Sequence, residues 1–309
     1  MSDMILHHYP QSPVAEKVRV SLGIKGLSWR SVEIPRIPPK PDLMPLTGGY
    51  RRTPVLQIGA DVYCDSMCIL HELERRAPSP AFFPSNSAGL GWLVFQAAER
   101  AMMKDAIAIV LGANVRDLPK EFADDRGRLY FGPDYDLEDV ASHLPHIFAQ
   151  VRTHLGWVDQ RLSGGAKFLF GDAAGLADAA IYYLVWFIRG RWAGGPAFLS
   201  EFPALEAWEK RVAAIGHGTP TDLSANDALE IARAAKPSEP MTGDPLDPQG
   251  LKPGMRVAVV PDGDGGDPPV KGAVHVVSHE IIGILRDDPR VGEICIHFPR
   301  VGYRITVLD

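Results

Sequence analysis

Apolar residues recur at two different spacings along this chain, and the change from one to the other divides it. Met4 to Tyr9 reads as a buried strand that passes through a Pro10-Gln11 turn into a helix. Ser12 stands where an N-cap belongs, and Pro13 at the first helical position, where its missing N–H is no loss and its fixed φ is already helical. Val14, Val18 and Leu22 keep helical spacing up to Lys25-Gly26, and Ser28 to Ile34 reads as a second strand. The opening is therefore a βαβ unit with a parallel pair of strands. Pro35 to Pro45 is too rich in proline for a regular element, and Leu46 to Arg52 is a turn with two glycines and two adjacent arginines. Thr53 to Ile58 is a strand with proline near its start, which makes Thr53-Pro54 a candidate cis bond. Gly59 to Asp61 turns the chain into Val62 to Cys64, and Asp65-Ser66, either of which is a good N-cap, opens a helix from Met67 to Arg76.

From Ala88 to Val115 the apolar positions Trp92, Phe95, Met102, Ile109 and Leu111 spread over more than one face, as in a helix buried within a bundle. Asp117 to Tyr135 is a polar interruption without a clear element, and Leu137 to Leu162 returns to helix. Farther on, Asp178 places a carboxylate at the free N–H groups where the apolar run Ala179 to Ile188 begins. Lys236 to Gly250 has the proline and polar content of a linker. Beyond it the pattern alternates: Arg256 to Val260, Val270 to Val277, Glu280 to Arg286, Glu293 to Phe298 and Tyr303 to Leu308 read as strands split by Gly, Pro and Asp turns. They predict a small β-barrel-like domain or a twisted sheet.

With 309 residues, 46% of them hydrophobic, the chain can bury a substantial core and has the length of roughly two domains. A net charge of -6 gives no general attraction to phosphate backbones or anionic bilayers, so neither nucleic acid nor membrane is an expected partner. The cysteines, Cys64, Cys68 and Cys295, are too few for a disulfide scaffold and fit a reducing compartment. The N-terminus lacks a basic segment followed by an apolar core, and Ala179 to Ile188 falls short of the roughly 20 residues that span a bilayer. A cytoplasmic location is expected.

The order of elements, with Ser12-Pro13-Val14-Ala15-Glu16-Lys17-Val18-Arg19-Val20, Pro54-Val55-Leu56 and the acidic-Ser pair Asp65-Ser66, resembles the thioredoxin-like N-terminal domain of glutathione S-transferases. The Ser12 stretch is most similar to the serine-type tau class and to the omega class, which carries cysteine there; Thr53 replaces the usual aliphatic residue before Pro54. Phe168 to Asp172 with Gly175-Leu176-Ala177-Asp178, then Phe202 to Trp208, resembles the motifs around the core helix of the family's all-helical domain. Gly175 departs from the usual hydroxyl cap. The resemblance covers about residues 4–235 and leaves the final strands outside it. It implies an α/β plus all-α fold, with a thioredoxin-like glutathione-binding domain at 1–84 and a helical bundle at 85–235; the chain's own pattern adds a linker at 236–250 and an appended small β-rich domain at 251–309.

The resemblance further implies glutathione as cosubstrate and a small hydrophobic electrophile as its target. Ser12 would be the catalytic residue, donating a hydrogen bond to the glutathione sulfur and favouring the thiolate with the help of the helix dipole. The plainer role for Ser12 is that of a cap alone, and Tyr9 is the second candidate for the donor. Asp65 and Ser66 would hold the γ-glutamyl end, Thr53 beside Pro54 would offer its backbone to the cysteinyl peptide, and Arg51 or Arg52 would take the glycyl carboxylate. A solvated loop accounts for the two arginines otherwise. The electrophile is expected in the groove between the domains, where Trp92, Met102, Met103 and Tyr130 are candidates that bundle packing explains equally well. Cys64 and Cys68 are better read as small buried hydrophobes than as a redox pair. His275, His279 and His297 lack a metal-ligand spacing, and Asp262 to Asp267 lacks the carboxylate of a calcium loop because Ala273 stands in its place. No metal is expected.

The expected function is thus a glutathione transferase, with lyase, dehalogenase and isomerase chemistry open to the same thiolate. The alternative is a scaffold that binds glutathione or a protein without turnover. A second copy of the chain, forming a homodimer, is a candidate partner.

Overall fold

The computed structural model describes residues 3–239, 244–263 and 266–309. Part of the expected linker and the centre of the Asp262 to Asp267 loop lie outside these residues. The strands are β1 Met4–His8, β2 Ser28–Glu33, β3 Val55–Ile58, β4 Asp61–Cys64, β5 Thr219–Asp222, β6 Arg256–Pro261, β7 Val270–Val277, β8 Ile281–Asp288, β9 Gly292–Pro299 and β10 Tyr303–Val307. The helices are α1 Pro13–Ile24, α2 Met44–Thr47, α3 Ser66–Arg76, α4 Ala88–Ala97, α5 Met103–Ala113, α6 Lys120–Phe131, α7 Leu137–Ser142, α8 Leu144–Ser163, α9 Leu176–Arg191, α10 Gly195–Leu199, α11 Pro203–Ala213 and α12 Ala225–Ala234. They form two compact units, one of Met1–Ala15, Ser28–Leu73 and Thr219–Asp309, the other of Glu16–Leu27 and Glu74–Gly218.

The first unit is built on one sheet of order β10-β6-β7-β8-β9-β4-β3-β1-β2-β5. Here the structure corrects the sequence reading. The five C-terminal strands are present, but they neither close into a barrel nor stand alone at 251–309. Instead β9 pairs in parallel with β4, matching Asp61 to Cys295, Val62 to Ile296 and Tyr63 to His297. Without β9 that side of β4 would be an open edge of unpaired N–H and C=O groups. The faces also share one core, in which Val55, Val62 and Cys64 of the opening segment lie with Val257, Ile284, Ile294 and Ile296 of the last. The same core takes Ala228, Leu229 and Ala232 of α12, which moves residues 219–235 out of the bundle where the sequence reading had them. Strand β5 was missed because Thr219 to Asp222 is exposed throughout and has no apolar alternation.

A buried polar chain ties β1, β3 and α12 together. His7 Nε2 donates to Gln57 Oε1 at 2.8 Å, since the Gln57 amide nitrogen is already committed to the carbonyls of Gly59 and Ala228 at 3.1 and 2.8 Å. Burial lowers the His7 pKa from 6.5 to about 4, against the raising effect of the Gln57 bond. The folded chain therefore refuses a proton that the unfolded chain accepts between pH 6.5 and 4, and the associated stability is complete above pH 6.5 and lost as pH falls. Unfolding free energies extrapolated from urea titrations at pH 7 and pH 4 are expected to differ by roughly 3 kcal/mol from this group alone. In His7→Gln that share of the slope disappears; an unchanged slope would assign it elsewhere.

The second unit is helical. Helices α4 and α5 join through one π turn, Ala98–Met102, so the expected long helix from Ala88 is continuous but carries one irregular turn. Asp117 to Tyr135, read as an interruption, contains α6. Its polar sequence hid a small apolar face, Phe122, Tyr130 and Phe131, that packs with Ile107, Leu111 and Leu137. The expected helix Leu137 to Leu162 breaks into α7 and α8 because Pro145 starts a new helix there. Lys17, fully buried, pairs with Glu99 at 2.6 Å, and the Tyr183 hydroxyl donates to the same carboxylate oxygen at 2.7 Å. Gly175 has a reason for replacing the hydroxyl cap: a Cβ there would lie 2.5 Å from the Phe82 carbonyl oxygen. Asp178 does the capping instead, accepting from Gly175 N at 2.9 Å. Among the described residues, no helix is long and apolar enough to cross a membrane.

Candidate active site

Strand register brings the expected site residues to one end of the first unit's sheet. His7 of β1 faces Val55 of β3, and Val55 faces Cys64 of β4, so the end of β1, the start of β3 and the end of β4 lie side by side. Ser12 follows β1, Thr53 and Pro54 precede β3, and Asp65 with Ser66 follows β4. The Thr53-Pro54 peptide is cis, as the proline at the strand start suggested.

Ser12 caps α1: its Oγ accepts from Ala15 N at 3.1 Å, and its own N–H donates to the Tyr9 carbonyl at 3.1 Å. The plainer of the two sequence roles is thus fulfilled. It does not consume the hydroxyl, because an oxygen that accepts from an N–H still has its own proton to donate. Ser12 is only 2% exposed, so that proton can reach a sulfur only at close contact.

Asp65 holds a left-handed backbone, φ 77°, which turns the chain sharply from β4 into α3. It is the cap of that helix, accepting from Met67 N at 2.8 Å through Oδ1. Its other oxygen lies 3.1 Å from the Tyr303 hydroxyl of β10, which in turn is 3.2 Å from the Tyr50 hydroxyl. A carboxylate only accepts, so Tyr303 donates to Asp65. Burial, reinforced by the Asp65 charge, pushes both phenols well above their usual pKa and keeps them protonated.

The two arginines are not a solvated loop. Asp267, before β7, accepts from Arg52 Nε and a terminal nitrogen at 2.9 and 2.5 Å, and its second oxygen lies 3.5 Å from Arg51 Nε. Its carboxylate is buried, 2% exposed. The ion pair raises the Arg52 pKa despite the cost of burial.

The whole chain overlays a crystal structure of a GST-like protein from Pseudomonas syringae, with TM-score 0.82, 35% identity and complete coverage of both chains. The chain belongs to the glutathione S-transferase superfamily. Residues 6–81 match the family described as Glutathione S-transferase, N-terminal domain, and residues 141–211 the corresponding C-terminal domain. A curated maleylacetoacetate isomerase from Pseudomonas aeruginosa is 29% identical over 188 residues, covering 59% of this chain and 78% of that protein. The tau class glutathione S-transferase from mango, Mangifera indica, shares the fold at TM-score 0.52 and 18% identity, over 69% of this chain and 89% of its own. These place the chain among glutathione-transferase-like enzymes.

Sequence reasoning missed three side chains that touch these candidate residues. Lys40 is buried inside the proline-rich stretch and donates to the Arg51 carbonyl and Thr53 Oγ1, both at 2.9 Å. Its one signal was a cation flanked directly by Pro39 and Pro41. Asp267 and Tyr303 come from a segment that the family resemblance did not cover, so nothing local marked them.

The remaining sequence candidates divide. Cys64 and Cys68 are buried free thiols whose pKa values burial raises, which leaves them unreactive. Of the C-terminal histidines, His297 meets Asp61 and Cys295 with ligand atoms within 4.8 Å of one another. Hydrogen bonds already account for it, since His297 Nε2 is 2.8 Å from Asp61 Oδ1 and Ser238 donates twice to Oδ2. Within the second unit, Met102 lines an apolar cavity of about 430 Å³ with Val94, Ala101, His154, Trp157 and Ile181. Trp92 instead packs on Phe83 and Phe95, and Met103 and Tyr130 join the α6 cluster.

Proposed function

We propose that the chain is a glutathione-dependent enzyme in which Ser12 holds the cosubstrate sulfur as thiolate for attack on a small hydrophobic electrophile. The observation that carries this is the register that gathers Ser12, cis-Pro54 and the Asp65-Ser66 helix start at one end of the sheet. Each group then has a task. The Ser12 hydroxyl donates to sulfur at the α1 N-terminus, where the dipole also favours negative charge. Asp65 accepts from the γ-glutamyl ammonium, the Ser66 end of α3 receives the γ-glutamyl carboxylate, and the Thr53 backbone pairs with the cysteinyl peptide. Similarity to a protein named as an isomerase supports a reaction in which the thiolate adds reversibly to the substrate. A cytoplasmic homodimer is part of the same proposal, and the buried free thiols suit a reducing compartment.

An ultraviolet titration of the thiolate absorbance of bound glutathione tests it. The thiol pKa is expected to fall in the wild-type complex and to return toward its free value in Ser12→Ala. Bound glutathione with an unshifted pKa would favour the second reading, a scaffold that binds without turnover, which the close burial of Ser12 makes worth testing.

Asp65→Asn isolates the γ-glutamyl contact, because asparagine tolerates a left-handed backbone and still caps a helix. The charge is lost, and the Tyr303 hydroxyl must turn from donating to accepting, because an amide nitrogen replaces Oδ2. Glutathione affinity measured by calorimetry is expected to weaken by about 2 kcal/mol, roughly thirtyfold, the size of a hydrogen bond to a charged group. Unaltered affinity would remove Asp65 from the site.

A further inference from the structure

The C-terminal strands bring a charge to the place where a tripeptide's C-terminal carboxylate is expected. Asp267 sits between the guanidinium groups of Arg51 and Arg52, with one oxygen taking both Arg52 contacts and the other turned toward Arg51. It is held there by its surroundings: Pro268 lies against Gly49, and Val270 of β7 packs within 2.9 Å of where a Gly48 Cβ would stand. From the same segment Tyr303 reaches Asp65, the expected partner of the other end of the peptide. Residues that the superfamily resemblance does not cover thus touch both expected anchor points.

We infer that Asp267 is a specificity-determining residue, a resident carboxylate that fills the Arg51 and Arg52 subsite and lets the enzyme take thiol peptides with an uncharged C-terminal end as readily as those with a free carboxylate. The inference rests on the glutathione-dependent function proposed above. A free glycyl carboxylate would have to approach a buried anion of the same sign, and the arginines that would reward it are already neutralised in part. An ester or amide at that end meets no such repulsion. Lys40, the third cation of this region, is engaged with the Arg51 carbonyl and Thr53.

Calorimetry of the full chain with glutathione and with its glycyl monoethyl ester tests the inference. Wild type is expected to bind the two within about threefold, whereas Asp267→Asn is expected to prefer the free acid by about tenfold or more, with ester affinity unchanged. General loosening of the segment would alter both affinities together, so the ratio is the readout. An equal ratio in the two proteins, with binding intact, overturns the role of Asp267 and leaves the glutathione-dependent function standing. If Asp267→Asn does not fold, wild type decides alone: parity supports the inference, and a tenfold preference for the free acid overturns it. Folded wild type that binds neither thiol overturns the proposed function and this inference together.

Discussion

Ser12→Ala is expected to lower turnover by about ten- to a thousandfold, with little change in glutathione affinity, the range seen when one donor to a developing charge is lost. The argument depends on separating two jobs of one oxygen. As a cap, Ser12 accepts from Ala15 N, and losing that costs roughly 0.5–2 kcal/mol of stability. As a thiolate partner it uses its proton, which the cap leaves available. Ser12→Gly distinguishes them, because glycine caps a helix only a few tenths of a kcal/mol less well but has no hydroxyl. Both variants should therefore lose rate equally, while the alanine variant melts lower than the glycine one. Initial rates at saturating glutathione and thermal melts provide the comparison. If both variants keep wild-type turnover, Ser12 is a cap and nothing more.

The second large effect is structural. Asp178 is fully buried, and its two oxygens accept from Leu169 N at 2.9 Å, Gly175 N at 2.9 Å and Trp208 Nε1 at 2.7 Å. Burial raises its pKa, opposed by these same hydrogen bonds. In Asp178→Ala three donors are left without a partner in the interior. At about 1–3 kcal/mol for each, the loss is on the order of 5 kcal/mol, comparable with the whole stability of many proteins. Urea unfolding of the full chain should show a large drop in midpoint or no cooperative transition. Asp178→Asn keeps one oxygen, which can still serve Leu169 and Trp208, so its loss should be markedly smaller. Equal losses for alanine and asparagine would mean that the charge, not the hydrogen bonds, is what the bundle needs.

Much of the candidate site was legible because its geometry is local. Ser12-Pro13 specifies a helix start by its own chemistry, proline at a strand entrance marks a bond that can be cis, and an acidic residue followed by serine marks a helix cap. These are short-range rules, and β1 through β2 and β3 through α3 obey them, whereas α2 lies in the stretch between that reads as irregular. The same locality made the strands of the C-terminal segment readable, from Arg256 to Val307, because alternation is a property of a few adjacent residues.

What the sequence determined by itself was the strands and long helices whose apolar period is strong, their order and the superfamily they resemble, while β5 and α6, with little apolar pattern of their own, escaped it. Local backbone preference and hydrophobic period are written in neighbouring residues, so no knowledge of distant contacts was needed. Only the tertiary structure decided that β9 continues the sheet at β4, that α12 shares the first unit's core, and that Asp267 and Tyr303 reach Arg52 and Asp65. The strand pairing and the two side-chain contacts join residues more than 200 positions apart, and Gln57 meets Ala228 of α12 across 171. An open strand edge or an exposed guanidinium can be satisfied by any complementary strand or carboxylate, and the sequence around it does not say which one the folded chain supplies.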